Sequence, residues 1–256
     1  CAYTATEIEE ILAPLLDYID KRDLPGPDPS LCRGIGLKTT LAELTDAGVL
    51  SHFDGGTEDV WSIAPDSHVI AAYYRNGAIH HFVDRAICEL ALIAAADGKI
   101  VGDDREARLA ASQEEALRIR DMLKFEFFFP VKTEFLHRLG VEMDIIAPEW
   151  RTVAATPEWF EATFAATSGS LIARRTLQPF FDAQLVVARC LVALGSASMT
   201  KGDIISDCLG LGTQLAMQGV VRSKDSVSTE LYEAAYRLAE NRGLVESDGA
   251  QAAASD

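Results

Sequence analysis

The feature that most constrains this chain is the run from Pro65 to Ala96, PDSHVIAAYYRNGAIHHFVDRAICELALIAAA, apolar for most of its length and interrupted by Arg75-Asn76 and His80-His81. Val69, Tyr73, Val83, Ile87 and Leu90 form one stripe at helical spacing, and Ile79, Phe82, Ala86 and Ile93 widen it until little polar surface is left. The spacing predicts one long helix, and a helix apolar on most sides belongs in a core. Asp66, after Pro65, is placed as its N-cap, where a carboxylate accepts a free backbone N–H. An arginine and an asparagine in such a setting need hydrogen-bond partners. Tyr73, Asn76 and His80 fall on one stripe with Arg75 to its side. An internal hydrogen-bonded cluster and a contact surface are both open readings of that stripe.

With 256 residues, 48% of them hydrophobic, the chain can bury a sizeable core. Its formal net charge of −16 opposes a broad phosphate-neutralising surface, so no nucleic-acid partner is expected. Cys1, Cys32, Cys88, Cys190 and Cys208 are odd in number and never in a CxxC pair, the usage of reduced, intracellular thiols. No segment has the roughly 18 consecutive apolar residues of a membrane-spanning helix, and the first residues carry no signal-peptide pattern. Because it begins at Cys1, close to a helical pattern, the chain is expected to be part of something longer. The small, polar residues 247–256 are expected to fray.

In chain order, a helix is expected over Glu7–Arg22, with Thr6 as its cap and a bend at Pro14. The segment LPGPDPS at 24–30 is a linker, and a second helix follows over Leu37–Ala47. Val49–Phe53 and Val60–Ile63 flank Asp54-Gly55-Gly56-Thr57 as a β-hairpin. Helix, helix, hairpin is the order of a winged-helix module. Further helices are expected over Gln113–Phe127, Thr133–Asp144, Pro157–Ala166, Ser170–Leu194, Lys201–Met217 and Thr229–Arg242, with Gly219 and Gly243 as C-terminal caps. Phe125, Phe127, Phe128 and Phe129 crowd five positions and are expected to be buried or docked. The expected fold is all-α, about nine helices with one small hairpin and a winged-helix-like N-terminal part. Residues 1–64 form the first unit, 65–246 a helical bundle and 247–256 a disordered tail.

Few constellations carry chemistry. Gly34-Ile-Gly36-Leu-Lys38-Thr39 lacks the glycine spacing of a phosphate loop and follows a proline linker, so it reads as a helix start. Gly210-Leu-Gly212 lies inside a helical pattern with no strand before it. His80 and Asp84 share a helix face but lack further ligands nearby, so no metal site is assigned. Arg174-Arg175 reads as a solvated helix face, and no cysteine sits beside a histidine in a nucleophile motif.

Tyr73-Tyr74-Arg75-Asn76-x-x-Ile79-His80, followed some forty residues later by Leu123-Lys-Phe-Glu126-Phe-Phe, resembles the C-terminal region of the bacterial PlsB-type glycerol-3-phosphate acyltransferases, closest to an actinobacterial branch. The resemblance runs from about Leu12 to Val245. It implies a longer parent that transfers an acyl group from acyl-CoA or acyl-ACP to the sn-1 hydroxyl of glycerol 3-phosphate, the first step of phospholipid synthesis, with no other cofactor. In that family the histidine of an H-x4-D motif is the general base. Here His52, His68, His80, His81 and His137 are followed five positions later by Thr57, Tyr73, Arg85, Ala86 and Glu142, and the FxEGxRSR-like block is absent. No catalytic residue is therefore expected in this chain, which should be inactive alone. The resemblance further implies an N-terminal acyltransferase domain of the same protein as partner. It also implies a cytoplasmic location, peripheral to the inner face of the plasma membrane. Tyr73, Arg75, Asn76, His80, Lys124 and Glu126 become structural or interface groups near the substrate cleft. The alternative is a stand-alone helical regulator with winged-helix-like modules.

Overall fold

The computed structural model describes residues 2–64, 67–96, 105–153, 156–166, 172–195, 197–222 and 224–245. The tail at 247–256 and the N-cap expected at Asp66 lie outside them. Ten α-helices and a three-stranded antiparallel sheet make up the described chain, so the mostly helical class holds. The first helix, α1 (Ala5–Lys21), starts at Thr4 rather than at the expected Thr6. Thr4 accepts from the Glu7 N–H while the Glu7 carboxylate accepts from the Thr4 N–H at 2.7 Å, a reciprocal capping box that only Thr4 can make with Glu7.

Tyr3–Thr4 (β1) adds a strand that the alternation of the sequence was too short to announce. It pairs with β3 (Val60–Ile63), which pairs in turn with β2 (Leu50–Phe53), in the order β1-β3-β2. With α2 (Gly34–Asp46), these elements enclose a small core of Leu37, Leu41 and Trp61, joined by Ile8, Leu12 and Leu50. The expected order of helix, helix and hairpin holds, with β1 added to the sheet. The glycines before Lys38 have a packing cause. Gly34 has φ +53°, and a Cβ on Gly36 would collide with the Ser30 carbonyl.

The long helix expected over residues 65–96 is two helices. In α3 (His68–Ile79) and α4 (Val83–Ala96) the ladder is interrupted at His80–Phe82, where short i to i+3 bonds join His81 to Ala78 and Phe82 to Ile79. The break has a partner: the Tyr18 hydroxyl of α1 lies 3.3 Å from the His81 carbonyl and shares its one proton between that oxygen and Glu142. The two halves also differ in burial. In α4, Val83, Ala86, Ile87, Ala91 and Leu92 are all buried, whereas Ile79 is the one buried side chain described in α3. The core reading of the stretch holds for its second half only.

The rest is α5 (Arg105–Met122), α6 (Lys132–Ile146), α7 (Pro157–Ala166), α8 (Ala173–Leu194), α9 (Lys201–Met217) and α10 (Thr229–Asn241). Helix α5 ends before the expected Phe127, so residues 123–129 form a turn, and Phe128 projects fully into solvent against expectation. Pro130 keeps Phe129 out of helical backbone, but α5 has already ended several residues before it. Phe127 and Phe129 do pack, edge-to-face on Phe180 and Phe135. Two apolar clusters organise the bundle. The first gathers Ile87, Leu92, Ile119, Leu123, Phe135 and Leu177; the second gathers Val186, Val187, Ile204, Cys208, Tyr232 and Tyr236. Helix α8 contributes to both. Gly219 and Gly243 take φ of +70° and +69° just beyond the ends of α9 and α10, as capping requires.

Gly212 lets α9 approach α10, because a Cβ there would overlap the Tyr232 hydroxyl, itself buried without a hydrogen-bond partner among the described residues. Gly212→Ala is expected to cost about 2 kcal/mol in urea unfolding, the usual penalty of overpacking a core. Adding Tyr232→Phe should recover much of that loss.

A buried ionic network joins the N-terminal part to the bundle. Glu142 of α6, with its side chain 0% exposed, meets the Arg22 guanidinium at 2.8 Å and accepts from the Tyr18 hydroxyl at 3.1 Å. Beside it Arg85 lies over the Tyr18 ring and donates to Glu89 at 2.8 Å, and the other Glu89 oxygen accepts from the Ala173 N–H at the start of α8. Burial pushes both carboxyls up, and the arginines oppose it. Arg22→Ala leaves Glu142 buried and unpaired, so it should destabilise the fold by roughly 3 kcal/mol at pH 7.5. The loss should shrink toward pH 5, where Glu142 can take a proton.

Candidate functional site

The six residues singled out from the sequence fall into two groups at opposite ends of α10. At one end Arg75 of α3 forms an ion pair with Asp225, in the short turn Lys224–Ser226 before α10, and its Nη2 donates to the Asn76 side-chain oxygen at 3.0 Å. Both partners are half-buried, so the arginine that seemed stranded in an apolar helix is held within the chain. Tyr73, Asn76 and His80 are exposed. The two neighbouring tyrosines meet edge-to-face at 5.9 Å between ring centroids, and the His80 ring sits 3.9 Å from that of His81.

At the other end Lys124 Nζ donates to Asp121 Oδ1 at 2.9 Å and to the Asn241 side-chain oxygen, in the last turn of α10. Arg242 joins the same aspartate at 3.2 Å, and these bonds hold its carboxyl below the usual range, the Lys124 hydrogen bond contributing most. Phe125 has the Lys124 ammonium 5.5 Å from its centroid and the Arg237 guanidinium 5.7 Å away. Glu126 is half-buried in this turn. Burial pushes its carboxyl up to about 7, opposed by Arg237, and among the described residues no hydrogen bond reaches it.

From Asp225 to Asn241 the separation is roughly 20 Å along α10 at 1.5 Å per residue. The two motifs that carry the resemblance are therefore attached at opposite ends of one helix. Among the histidines, His52 comes within 3.6 Å of Asp59, but across the hairpin, stacked on Trp61 and open to solvent. Asp84 is half-buried with its carboxyl raised by burial, and His80 faces outward; among the described residues no three His, Cys, Asp or Glu groups converge to hold a metal. Cys32, Cys88, Cys190 and Cys208 are free thiols. The side chains of Arg174 and Arg175 lie outside the described set.

Sequence reasoning missed Tyr18, Arg22, Arg85, Glu89, Glu142 and Asp225. A signal existed for Glu89 and Glu142, charged residues at core-facing positions of apolar helices; Asp225 carried none. For Glu126 the sign of the pH effect follows from its raised carboxyl. Between about 4.5 and 7 the folded chain keeps a proton that the unfolded chain has lost, so stability falls as pH rises through that window. Glu126→Gln should flatten this dependence and raise stability at pH 8 by about 1 kcal/mol, discounted for partial exposure. Denaturant midpoints at pH 5 and pH 8 check it.

The family described as glycerol-3-phosphate acyltransferase C-terminal region matches residues 1–248. Proteins of Mycobacterium bovis and Mycobacterium tuberculosis, carried under the provisional name acyltransferase plsB1, are 38% identical to the chain over 252 residues. The match covers 96% of this chain and 39% of each relative, so the chain spans well under half the length of those proteins. By that match, along nearly its whole length, the chain belongs to the glycerol-3-phosphate acyltransferase C-terminal region family.

Proposed function

We propose that this chain is the helical C-terminal portion of a glycerol-3-phosphate 1-O-acyltransferase, and that it supports a catalytic domain located elsewhere in the parent protein. The observation that carries the reading is the family match over residues 1–248 in a sequence with no H-x4-D histidine. The parent moves an acyl group from acyl-CoA or acyl-ACP to glycerol 3-phosphate, opening phospholipid synthesis, and needs no cofactor beyond that co-substrate. The general base and the phosphate-binding groups come from the rest of the parent, so this chain alone is inactive.

Tyr73, Arg75, Asn76, His80, Lys124 and Glu126 serve as interface and support groups in this reading. The exposed settings of Tyr73, Asn76 and His80 and the ion pairs of Arg75 and Lys124 support this reading, and Glu126 is the half-buried member of the set. The parent works at the cytoplasmic face of the plasma membrane as a peripheral protein, where its acyl product is delivered, and nucleic acid is not among its partners. Acyl transfer should be lost when the preceding portion of the parent is expressed without residues 1–256 and should return on co-expression. Arg75→Ala in the full-length parent should lower the rate roughly 3- to 10-fold, the span of a coupling transmitted through a positioning contact. Full activity from the preceding portion alone would remove the supporting role.

A further inference from the structure

Helix α3 is folded with much of its surface in water. Ile70, Tyr73 and Tyr74 are 47%, 76% and 68% exposed and, with exposed Gly77, occupy i, i+3, i+4 and i+7 of one face. Twelve residues are too few for an isolated helix to be stable in water. Its hold on the described chain runs mainly through the turn at Lys224–Ser226, fixed by the Arg75–Asp225 pair. Three large apolar side chains on one exposed stripe, rimmed by tyrosine hydroxyls and the polar Asn76 and His80, have the composition of an interface core with a polar edge.

The sheet register indicates what reaches that face. In the β1–β3 pair, Tyr3 lies opposite Trp61 and Thr4 opposite Val60. Antiparallel pairing runs any residue before Tyr3 past Ser62 and Ile63, toward the end of β3 that leads into α3. Ile63 is itself exposed there. The relatives are more than twice the length of this chain, and the family is defined as a C-terminal region, so most of such a parent precedes residue 1.

We infer that the Ile70–Tyr73–Tyr74–Gly77 face of α3 is the docking surface for the part of the parent chain that precedes residue 1, and that Arg75 and Asp225 are positioning residues that hold α3 out to receive it. This rests on the reading of the chain as the C-terminal portion of an acyltransferase. The partner surface carries an apolar groove for the two tyrosine rings and hydrogen-bond groups at its margin. Docking removes the stripe from water and supplies the tertiary packing that α3 lacks.

The test places a photo-crosslinking p-benzoylphenylalanine at position 74 of the full-length parent, with the same group at exposed Val192 of α8 as a control. Irradiation and peptide mass mapping should join position 74, and not position 192, to peptides preceding residue 1 of the same chain. Mixing isotope-labelled and unlabelled protein separates joins within one chain from joins between two. Crosslinks confined to residues 1–256, crosslinks to a second copy, or none at position 74 would overturn the docking surface. Acyl transfer by the Tyr73→Ser/Tyr74→Ser parent is read separately and should fall roughly tenfold. Intramolecular crosslinks with an unchanged rate uphold the docking surface and defeat the supporting role. Missing crosslinks in a parent that still needs residues 1–256 for activity do the reverse.

Discussion

The structure depends on two carboxylates with no access to water. Glu142 is met by Arg22 and Tyr18 from the far end of the chain, while Glu89 is met by Arg85 one turn earlier on the same helix and by the backbone N–H of Ala173 from another helix. Desolvating a carboxylate costs several kcal/mol, and an incomplete donor set leaves that cost uncompensated. The donors arrive from α1, α4 and the first residue of α8, so the N-terminal part, the break between α3 and α4 and the entry to α8 are fixed together. An apolar contact of equal area would have tolerated small slips in any of them.

Helix α10 organises the outer side in a similar way. Its N-terminal approach carries the aspartate that holds α3, and its last turn accepts the bond from Lys124. Two segments that look like one signature in the sequence are thus two attachment points on a single rod. The attachment points are separated by the length of that rod, so each can be altered without moving the other.

Elements decided by local chemistry were legible in the sequence. The helices α7 and α9 begin and end where periodicity, Pro157 and Gly219 place them, and the hairpin joins the two expected runs, although neither Gly55 nor Gly56 takes a positive φ. What escaped was set by distant partners. The break at His80–Phe82 is stabilised by Tyr18, more than sixty residues away, and α3 is exposed although its composition matches that of buried α4. A run of apolar residues reports that a surface is to be covered, without saying whether this portion of chain covers it. Glu126 was marked by resemblance alone, and its raised carboxyl comes from burial, opposed by Arg237 of α10. The ion pair of Arg75 with Asp225 spans 150 positions, a separation that pattern does not bridge.

Helix α8 supplies Leu177 and Phe180 to one apolar cluster and Ala183, Val186 and Val187 to the other. Both clusters therefore read the rotational phase of the same rod. One residue inserted between Phe180 and Ala183 would turn everything downstream by about 100°, so the two faces could no longer point inward at once. A loop can take up an added residue without turning either cluster, but the middle of α8 cannot, so the two halves of the bundle are locked in rotational phase.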